Sequence, residues 1–318
     1  MRILFAGTPE IAVPSLLAVS RAFEVCGVLT RPDRARGRGR QAMPSPVKRE
    51  AEKLRLTVLQ PERLDANARA EVRRRSPELL VCVAYGKLFG PKFLGLFPRG
   101  GINLHPSLLP RHRGPAPIPS AILAGDRETG VTIQAVSDRM DAGAIYLQSR
   151  RRLDGSETTE RLSAELAESG AELLVEAVRG IEKGSITPVP QDENSATYCG
   201  MISKGDGRID WSTPAAQIER MVRAYHPWPS AYTYFNGVEL KILGARLPGR
   251  PAPAGAVNAA VPGTVLGVDR AHGILVQTGD GVLAVTTLQL KSRKPAEWKA
   301  FLNGHRAILG SVLGGTDQ

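Results

Sequence analysis

Cysteine is scarce in this chain of 318 residues: Cys26, Cys82 and Cys199 stand far apart, the first two inside apolar strand-like runs. They offer neither a disulfide framework nor the paired spacing of a zinc site, and the five histidines are scattered. No metal is therefore expected. Long hydrophobic runs are also missing, since no stretch approaches the ~20 apolar residues of a membrane helix. The start, Met1-Arg2 followed at once by a strand pattern, lacks the apolar region and cleavage site of a secretory signal. A cytoplasmic protein with reduced thiols and no membrane partner is the expectation. A glycine-rich nucleotide fingerprint is absent as well. The turn Ala6-Gly7-Thr8-Pro9-Glu10 lacks the G-x-G-x-x-G spacing, Pro9 removes an amide donor, and Glu10 adds negative charge. It reads as a structural turn that holds neither a nucleotide nor a phosphorylated amine. Finally, no Ser or Cys stands beside a base of its own, so an attacking atom would have to come from a substrate.

Positive charge is what the chain has in excess. The formal net charge is +11, and residues on both sides of position 205 contribute to it. An anionic partner is one reading and an Arg-rich proteome is the other; charge alone does not choose between them.

Length gives room for two domains. The first 150 residues alternate strand and helix signals, with strands expected at 2–5, 23–30, 79–84, 101–104, 131–137 and 144–150, which is the pattern of a doubly wound, mostly parallel α/β sheet. Ser45-Pro46 and Asp65 are helix starts. Leu162, Leu166, Leu173, Leu174 and Val178 give the period of a long amphipathic helix over 158–180. Polar residues, prolines and glycines then interrupt the pattern, so we expect a catalytic domain over 1–190, a linker over 191–205 and a second domain over 206–318. The second domain opens on a short helix capped by Thr213. Closely spaced strands at 232–235, 238–245, 263–268, 274–278 and 282–290 follow, with Asn236-Gly237 and Gly279-Asp-Gly281 as turns. They predict a small β-barrel of the oligonucleotide-binding (OB) type.

The chemistry is concentrated in Gly101-Ile-Asn-Leu-His-Pro-Ser-Leu-Leu-Pro110. Strand side chains alternate, so Asn103 and His105 share a face with Leu104 buried between them. An amide donor and a protonated imidazole converging on one carbonyl can hold the negative charge that builds on its oxygen, a term of roughly 3–4 kcal/mol per donor. Asp141, in the loop Ser137-Asp-Arg-Met-Asp-Ala-Gly143, would orient His105 and keep it basic enough to hold its proton. This reads as an acyl-transfer site.

Those segments, together with the Gly114-Pro-Ala-Pro117 turn, resemble the 10-formyltetrahydrofolate-dependent formyltransferases. The start Arg2-Ile-Leu-Phe-Ala-Gly-Thr-Pro-Glu10, the stretch from Arg31-Pro-Asp to Met43-Pro-Ser-Pro-Val-Lys48, and Ile209-Asp-Trp-Ser212 are similar to the branch that acts on initiator methionyl-tRNA. The resemblance spans essentially the full length. It implies a formyltransferase-like Rossmann variant, 10-formyltetrahydrofolate as formyl donor with no metal or nucleotide, and Asn103, His105 and Asp141 as the catalytic set. It implies that Ser107, Leu108, Leu109 and Pro110 line a flat pterin site. It adds contacts from the 138–143 loop, Asp138 and Gly143 included, and a wall from Tyr85 and Gly86. Asp138 by itself reads as a solvated turn residue, and Tyr85-Gly86 is equally readable as core.

The arginine-rich stretch Arg31 to Arg40 has no apolar face to bury, and reads as a mobile loop. By resemblance it contacts tRNA, with Arg38 discriminating the acceptor end and Arg36 and Arg40 engaging phosphates. Lys241, Arg246, Lys291, Arg293 and Lys294, on or beside the barrel strands, could track a nucleic-acid backbone or be plain surface charges. The aromatic pair in Tyr225-His-Pro-Trp-Pro229 reads as packing. Rival functions are formyl transfer to an amino sugar nucleotide or glycinamide ribonucleotide, hydrolysis of the formyl donor, and RNA binding without catalysis. The resemblance implies a monomer.

Overall fold

The computed structural model describes residues 1–36, 41–248 and 260–315, with side chains left out at 34–36 and 41. Contacts divide the chain into two units, one of Met1–Pro117, Glu128–Arg152 and Leu162–Gly200, the other of Ile118–Arg127, Leu153–Arg161 and Met201–Gln318.

In the first unit the elements run β1 (Arg2–Gly7), α1 (Val13–Ala22), β2 (Glu24–Leu29), β3 (Arg34–Arg36), β4 (Gln41–Met43), α2 (Pro46–Lys53), β5 (Val58–Leu59), α3 (Ala66–Arg73), β6 (Leu79–Val83), α4 (Pro91–Leu94) and β7 (Gly101–His105). α5 (Pro117–Ala124) falls almost wholly in the second unit; β8 (Glu128–Ala135), β9 (Ile145–Arg152) and most of α6 (Thr159–Lys183) return to the first. Seven strands form one sheet in the order β5-β2-β1-β6-β7-β8-β9. It is parallel from β5 to β7 and antiparallel from β7 to β9.

β1 and β6 lie at the centre and are buried along almost their whole length, as Arg2-Ile-Leu-Phe-Ala-Gly7 and Leu79-Leu-Val-Cys-Val83 require of strands covered on both faces. The expected caps are present: Ser45 accepts from Lys48 N at 3.0 Å and Asp65 accepts from Ala68 N at 3.0 Å. The chain reverses its strand order beside β1, and in such sheets ligands bind beyond the carboxyl ends of the strands at that point. β6 and β7 deliver Tyr85 and His105 to that edge.

Two expectations change here. The arginine-rich stretch is paired at its flanks, because β3 and β4 form an antiparallel hairpin with Arg34 opposite Met43 and Arg36 opposite Gln41. The expected linker over 191–205 belongs, through residue 200, to the first unit. Arg113 N donates to Thr197 O at 2.9 Å, Thr197 N donates to Pro110 O at 3.2 Å, and Cys199 N donates to Arg113 O at 2.8 Å. Its polar composition reflects side chains that bind this loop.

The second unit contains α7 (Ala215–Ala224), β10 (Ala231–Phe235), β11 (Val238–Arg246), β12 (Val265–Asp269), β13 (Gly273–Gln277), β14 (Val282–Leu290), β15 (Ala296–Glu297) and α8 (Trp298–Gly304). The strands form an antiparallel sheet in the order β10-β11-β14-β13-β12, with β15 on β14. Phe235, Leu240, Leu283, Ile274 and Val265, one from each of the five strands, meet in a single core. Register shifts at Ile242/Gly244 and Val265/Gly267 bend the strands around it. Asn236 and Gly237, with φ of 49° and 73°, make the tight turn that their pairing suggests.

Thr213 does not cap α7. Extended Pro214 holds the cap position, and the Thr213 hydroxyl donates instead to Asp210 O at 2.7 Å. Ile209 and Trp211 are buried, and the Trp211 indole donates to Thr233 Oγ1 at 3.1 Å, so Ile209-Asp-Trp-Ser212 acts here as core.

Candidate active site

β7 carries the central pair. Its Leu104 is covered by α6, where Gly170 allows the close approach: a Cβ at that position would lie 2.8 Å from Leu104 Cδ1. Asn103 and His105 therefore share the opposite face. The Asn103 side chain is half-buried and has no hydrogen-bond partner among the described residues. A half-buried amide without a protein partner is available to a ligand.

His105 is only 4% exposed. Its Nε2 lies 2.9 Å from the His112 carbonyl and its Nδ1 3.6 Å from Asp141 Oδ1. Burial pushes the imidazole pKa down, against the opposing pull of Asp141 and the His112 carbonyl. From sequence, Asp141 is expected to keep the ring protonated; here desolvation of so enclosed a ring is the largest influence, against a carboxylate 3.6 Å away. A carbonyl only accepts, so Nε2 carries the hydrogen donated to His112, and Nδ1 faces Asp141.

Asp141 sits at a left-handed φ of 50°. Gly114 N donates to its Oδ2 at 2.9 Å and Gln134 Nε2 donates to its Oδ1 at 3.0 Å. Gly114 has φ 118°, and a Cβ there would lie 2.2 Å from Cys199 O, so only glycine presents its N–H at that point. Gly143 is similarly constrained, with a Cβ reaching to 1.8 Å of Ala135 O. Asn103, His105 and Asp141 thus gather on one stretch of sheet edge. Cys82, one strand away, is held as an inert thiol by burial, which pushes its pKa up to about 12.

The segment from Ser107 to Pro110 is held from beneath. Thr132 Oγ1 donates to Ser107 O at 2.7 Å and accepts from Leu109 N at 3.1 Å, while Gln148 Nε2 donates to Leu109 O at 2.8 Å. Ser107 and Leu109 are buried; Leu108 and Pro110 are half-buried and retain accessible apolar surface. Tyr85 does not offer its ring to this edge. The ring is buried and stacks on Phe89 at 5.4 Å, in a core cluster with Phe93 and Phe97, and burial pushes its hydroxyl up to about 12. Its carbonyl accepts from Thr8 Oγ1 at 3.3 Å. Gly86, at φ 77°, accepts through its carbonyl from the Arg31 guanidinium. Asp138 is exposed, as its reading as a solvated turn residue implied, whereas Gly143 is buried.

The basic residues divide into three groups. Arg38 and Arg40 lie outside the described residues, and Arg36 is described only as backbone of β3. Lys241 pairs with Gln289, and Lys291 N donates to Glu239 O at 2.9 Å, so Lys241, Lys291, Arg293 and Lys294 lie around one end of the β11–β14 pair. Arg246 is opposite Ala284, roughly 15 Å further along β11 at the usual rise per residue. Trp228, read from sequence as packing, is 59% exposed.

Sequence reasoning missed Arg113, Gln134 and Gln191. Arg113 is fully buried: Nη1 and Nη2 donate to Glu193 at 3.1 and 3.0 Å, and Nε and Nη2 donate to Gln191 Oε1 at 3.0 and 2.8 Å. These partners are 78 or more positions away in the chain, and no local spacing announces them.

Residues 1–178 match a family model described as formyl transferase, and residues 201–306 match one described as the formyl transferase C-terminal domain. Methionyl-tRNA formyltransferase of Treponema denticola is 47% identical over 312 residues, covering 96% of this chain and 97% of that one. Among solved structures, the sugar 3N-formyl transferase WlaRD, determined in the presence of dTDP and 5-N-formyl-THF, superposes with a TM-score of 0.66 at 15% identity, covering 92% of this chain and 99% of that one. HypX from Aquifex aeolicus in complex with tetrahydrofolic acid superposes with a TM-score of 0.63 at 19% identity, covering 95% of this chain and 47% of that one. This chain therefore spans about half the length of HypX. At those identities the two structures speak to the fold.

Proposed function

The chain belongs to the formyl transferase family, on its methionyl-tRNA formyltransferase branch, and on that premise we propose that Asn103, His105 and Asp141 move the formyl group of 10-formyltetrahydrofolate directly onto the amino group of methionine carried by initiator tRNA. The observation that carries this assignment of residues is the Asn103 amide, without a hydrogen-bond partner among the described residues, beside the enclosed His105 and its neighbour Asp141.

When bound, the folate supplies a formyl carbon attached to a nitrogen that can leave. Asn103 donates to the formyl oxygen as negative charge builds there. A neutral imidazole N–H is still a donor, so His105 adds a second hydrogen bond when its Nε2–H exchanges the His112 carbonyl for that oxygen. Asp141 holds His105 in place and assists movement of the proton released by the attacking amine to the departing folate nitrogen. Holding both substrates at one edge of the sheet removes translational freedom and supplies much of the rate. Leu108 and Pro110, with accessible apolar surface beside backbone fixed by Thr132 and Gln148, suit a flat pterin, and Gly86, Gly143 and the backbone near Asp138 complete its surround. Tyr85 contributes main chain only.

Arg36, Arg38 and Arg40 engage the tRNA acceptor end. Lys241, Lys291, Arg293 and Lys294 follow its phosphates, with Arg246 a separate contact. The catalytic domain takes in residues 1–190 together with the segment 191–200 that folds onto it, and the tRNA-binding domain is 206–318. The protein acts as a cytoplasmic monomer that uses neither metal nor nucleotide.

The test is formyl transfer from 10-formyltetrahydrofolate to methionyl initiator tRNA, run beside free methionine and uncharged tRNA, with His105→Ala as control. Product formed only with charged tRNA, and lost in the control, is the expected result. Folate turnover independent of tRNA would reassign the chain to a small-amine transferase or a hydrolase.

A further inference from the structure

We infer that Gln191 is a positioning residue for Asp141: its side-chain amide fixes the backbone on both sides of that carboxylate and ties it to the buried Arg113. The inference rests on the formyl-transfer reading for the consequence of misplacing Asp141, and on geometry alone for the positioning.

Gln191 Nε2 donates to Gly143 O at 2.7 Å and to Asp141 O at 2.9 Å, with Gln134 Oε1 further off at 3.3 Å. On its other side, Gln191 Oε1 accepts from Arg113 Nε at 3.0 Å and Nη2 at 2.8 Å. The amide orientation is forced, because a guanidinium can only donate and a peptide carbonyl can only accept. A carboxylate would satisfy Arg113 and repel both carbonyls; a hydrocarbon would satisfy neither side. Only an amide of this length serves both.

The position it fixes is a demanding one. Asp141 holds a left-handed φ of 50° without being glycine, and Gly143 is pressed against Ala135. Such a backbone persists where its surroundings over-determine it. Gln134, itself touched by Gln191, carries the hold to the carboxylate through the 3.0 Å bond from its Nε2 to Asp141 Oδ1. The charged and titratable groups around the pair are His105 on β7, Cys82 on β6, His112 and Arg113 in the following loop, Arg139 in Asp141's own loop, and Glu193 and Tyr198 in the returning segment.

Two variants of the full chain separate positioning from mere stability. Gln191→Glu keeps an oxygen for Arg113 and loses both N–H donors; Gln191→Met keeps comparable length and loses donors and acceptor. Both are expected to lower kcat for formyl transfer by about tenfold or more, with KM for tRNA held within about twofold, because the chemistry loses alignment and the tRNA contacts do not. In Gln191→Met the His105 ring, followed by NMR, is expected to titrate at lower pH than in the wild type, since a released Asp141 no longer favours the charged ring. Wild-type kcat in Gln191→Glu would overturn the inference. So would an unmoved His105 titration in Gln191→Met, even alongside a lowered melting temperature. The titration needs no substrate, so a wild-type protein that transfers no formyl group would sink the functional reading and leave the positioning claim to be decided by the ring.

Discussion

At Asn103 an amide is left without a partner among the described residues on the face of β7 opposite Leu104, and that freedom sets the size of the effect expected from removing it. Asn103→Ala should lower kcat by about a hundredfold, or roughly 3 kcal/mol of oxyanion stabilisation, with little change in melting temperature because no protein hydrogen bond is lost. A loss of stability without loss of kcat would contradict that role. His105 sets the pH dependence. Burial pushes its pKa below the ordinary histidine value, so the charged ring, which would hold Asp141 in an ion pair and away from the proton it moves, is expected only on acidification. The plot of kcat/KM against pH should therefore fall on its acid side with a midpoint below about 6.5, the ordinary histidine pKa. A midpoint above that value would show that Asp141 dominates and that the protonated ring is the resting state.

The elements around the site behave as clamps. Thr132 on β8 makes one donated and two accepted hydrogen bonds to the 107–109 loop and Gln148. Thr132→Val should cost about 1–3 kcal/mol, because buried polar groups lose their partner, and should raise the folate KM more than the tRNA KM in steady-state kinetics. The returning segment 191–199 is clamped by charge. Glu193 accepts from Arg113 and Arg139, and those hydrogen bonds hold its pKa down at about 2. A carboxylate depressed by folding contributes stability above its unfolded pKa and loses it as pH falls toward its folded one. The melting-temperature gap between wild type and Glu193→Gln should therefore be constant above about pH 5 and close as pH falls toward 2. A gap that persists there would show that the ion pair is not its source. The helix caps Ser45 and Asp65 were legible from sequence because a cap is a matter of three neighbouring residues. The Arg113–Gln191–Asp141 linkage was not legible, because it joins three loops that are adjacent only once the sheet has formed.

At the scale of the whole molecule, the net charge of +11 gains meaning from the family to which the chain belongs. Binding to tRNA should weaken steeply with salt, as released counterions dictate. Arg38→Ala should reduce the slope of log affinity against log salt by about one phosphate contact and should leave folate affinity unchanged. An unchanged slope would remove Arg38 from the interface.

The sequence by itself determined the alternation of strands and helices in a mostly parallel α/β sheet, the closely spaced strands of the second unit, and the shared face of Asn103 and His105. Each of these follows from local periodicity, turn chemistry or the alternation of a strand. Tertiary structure alone decided how deeply His105 is enclosed, since enclosure is a property of the packed chain. It also decided that the Tyr85 ring turns into an aromatic core, and that a polar stretch resembling a linker supplies Gln191 and Glu193 to the loops around Asp141 and Arg113. Partners so distant in sequence meet only when folding has fixed the strands between them.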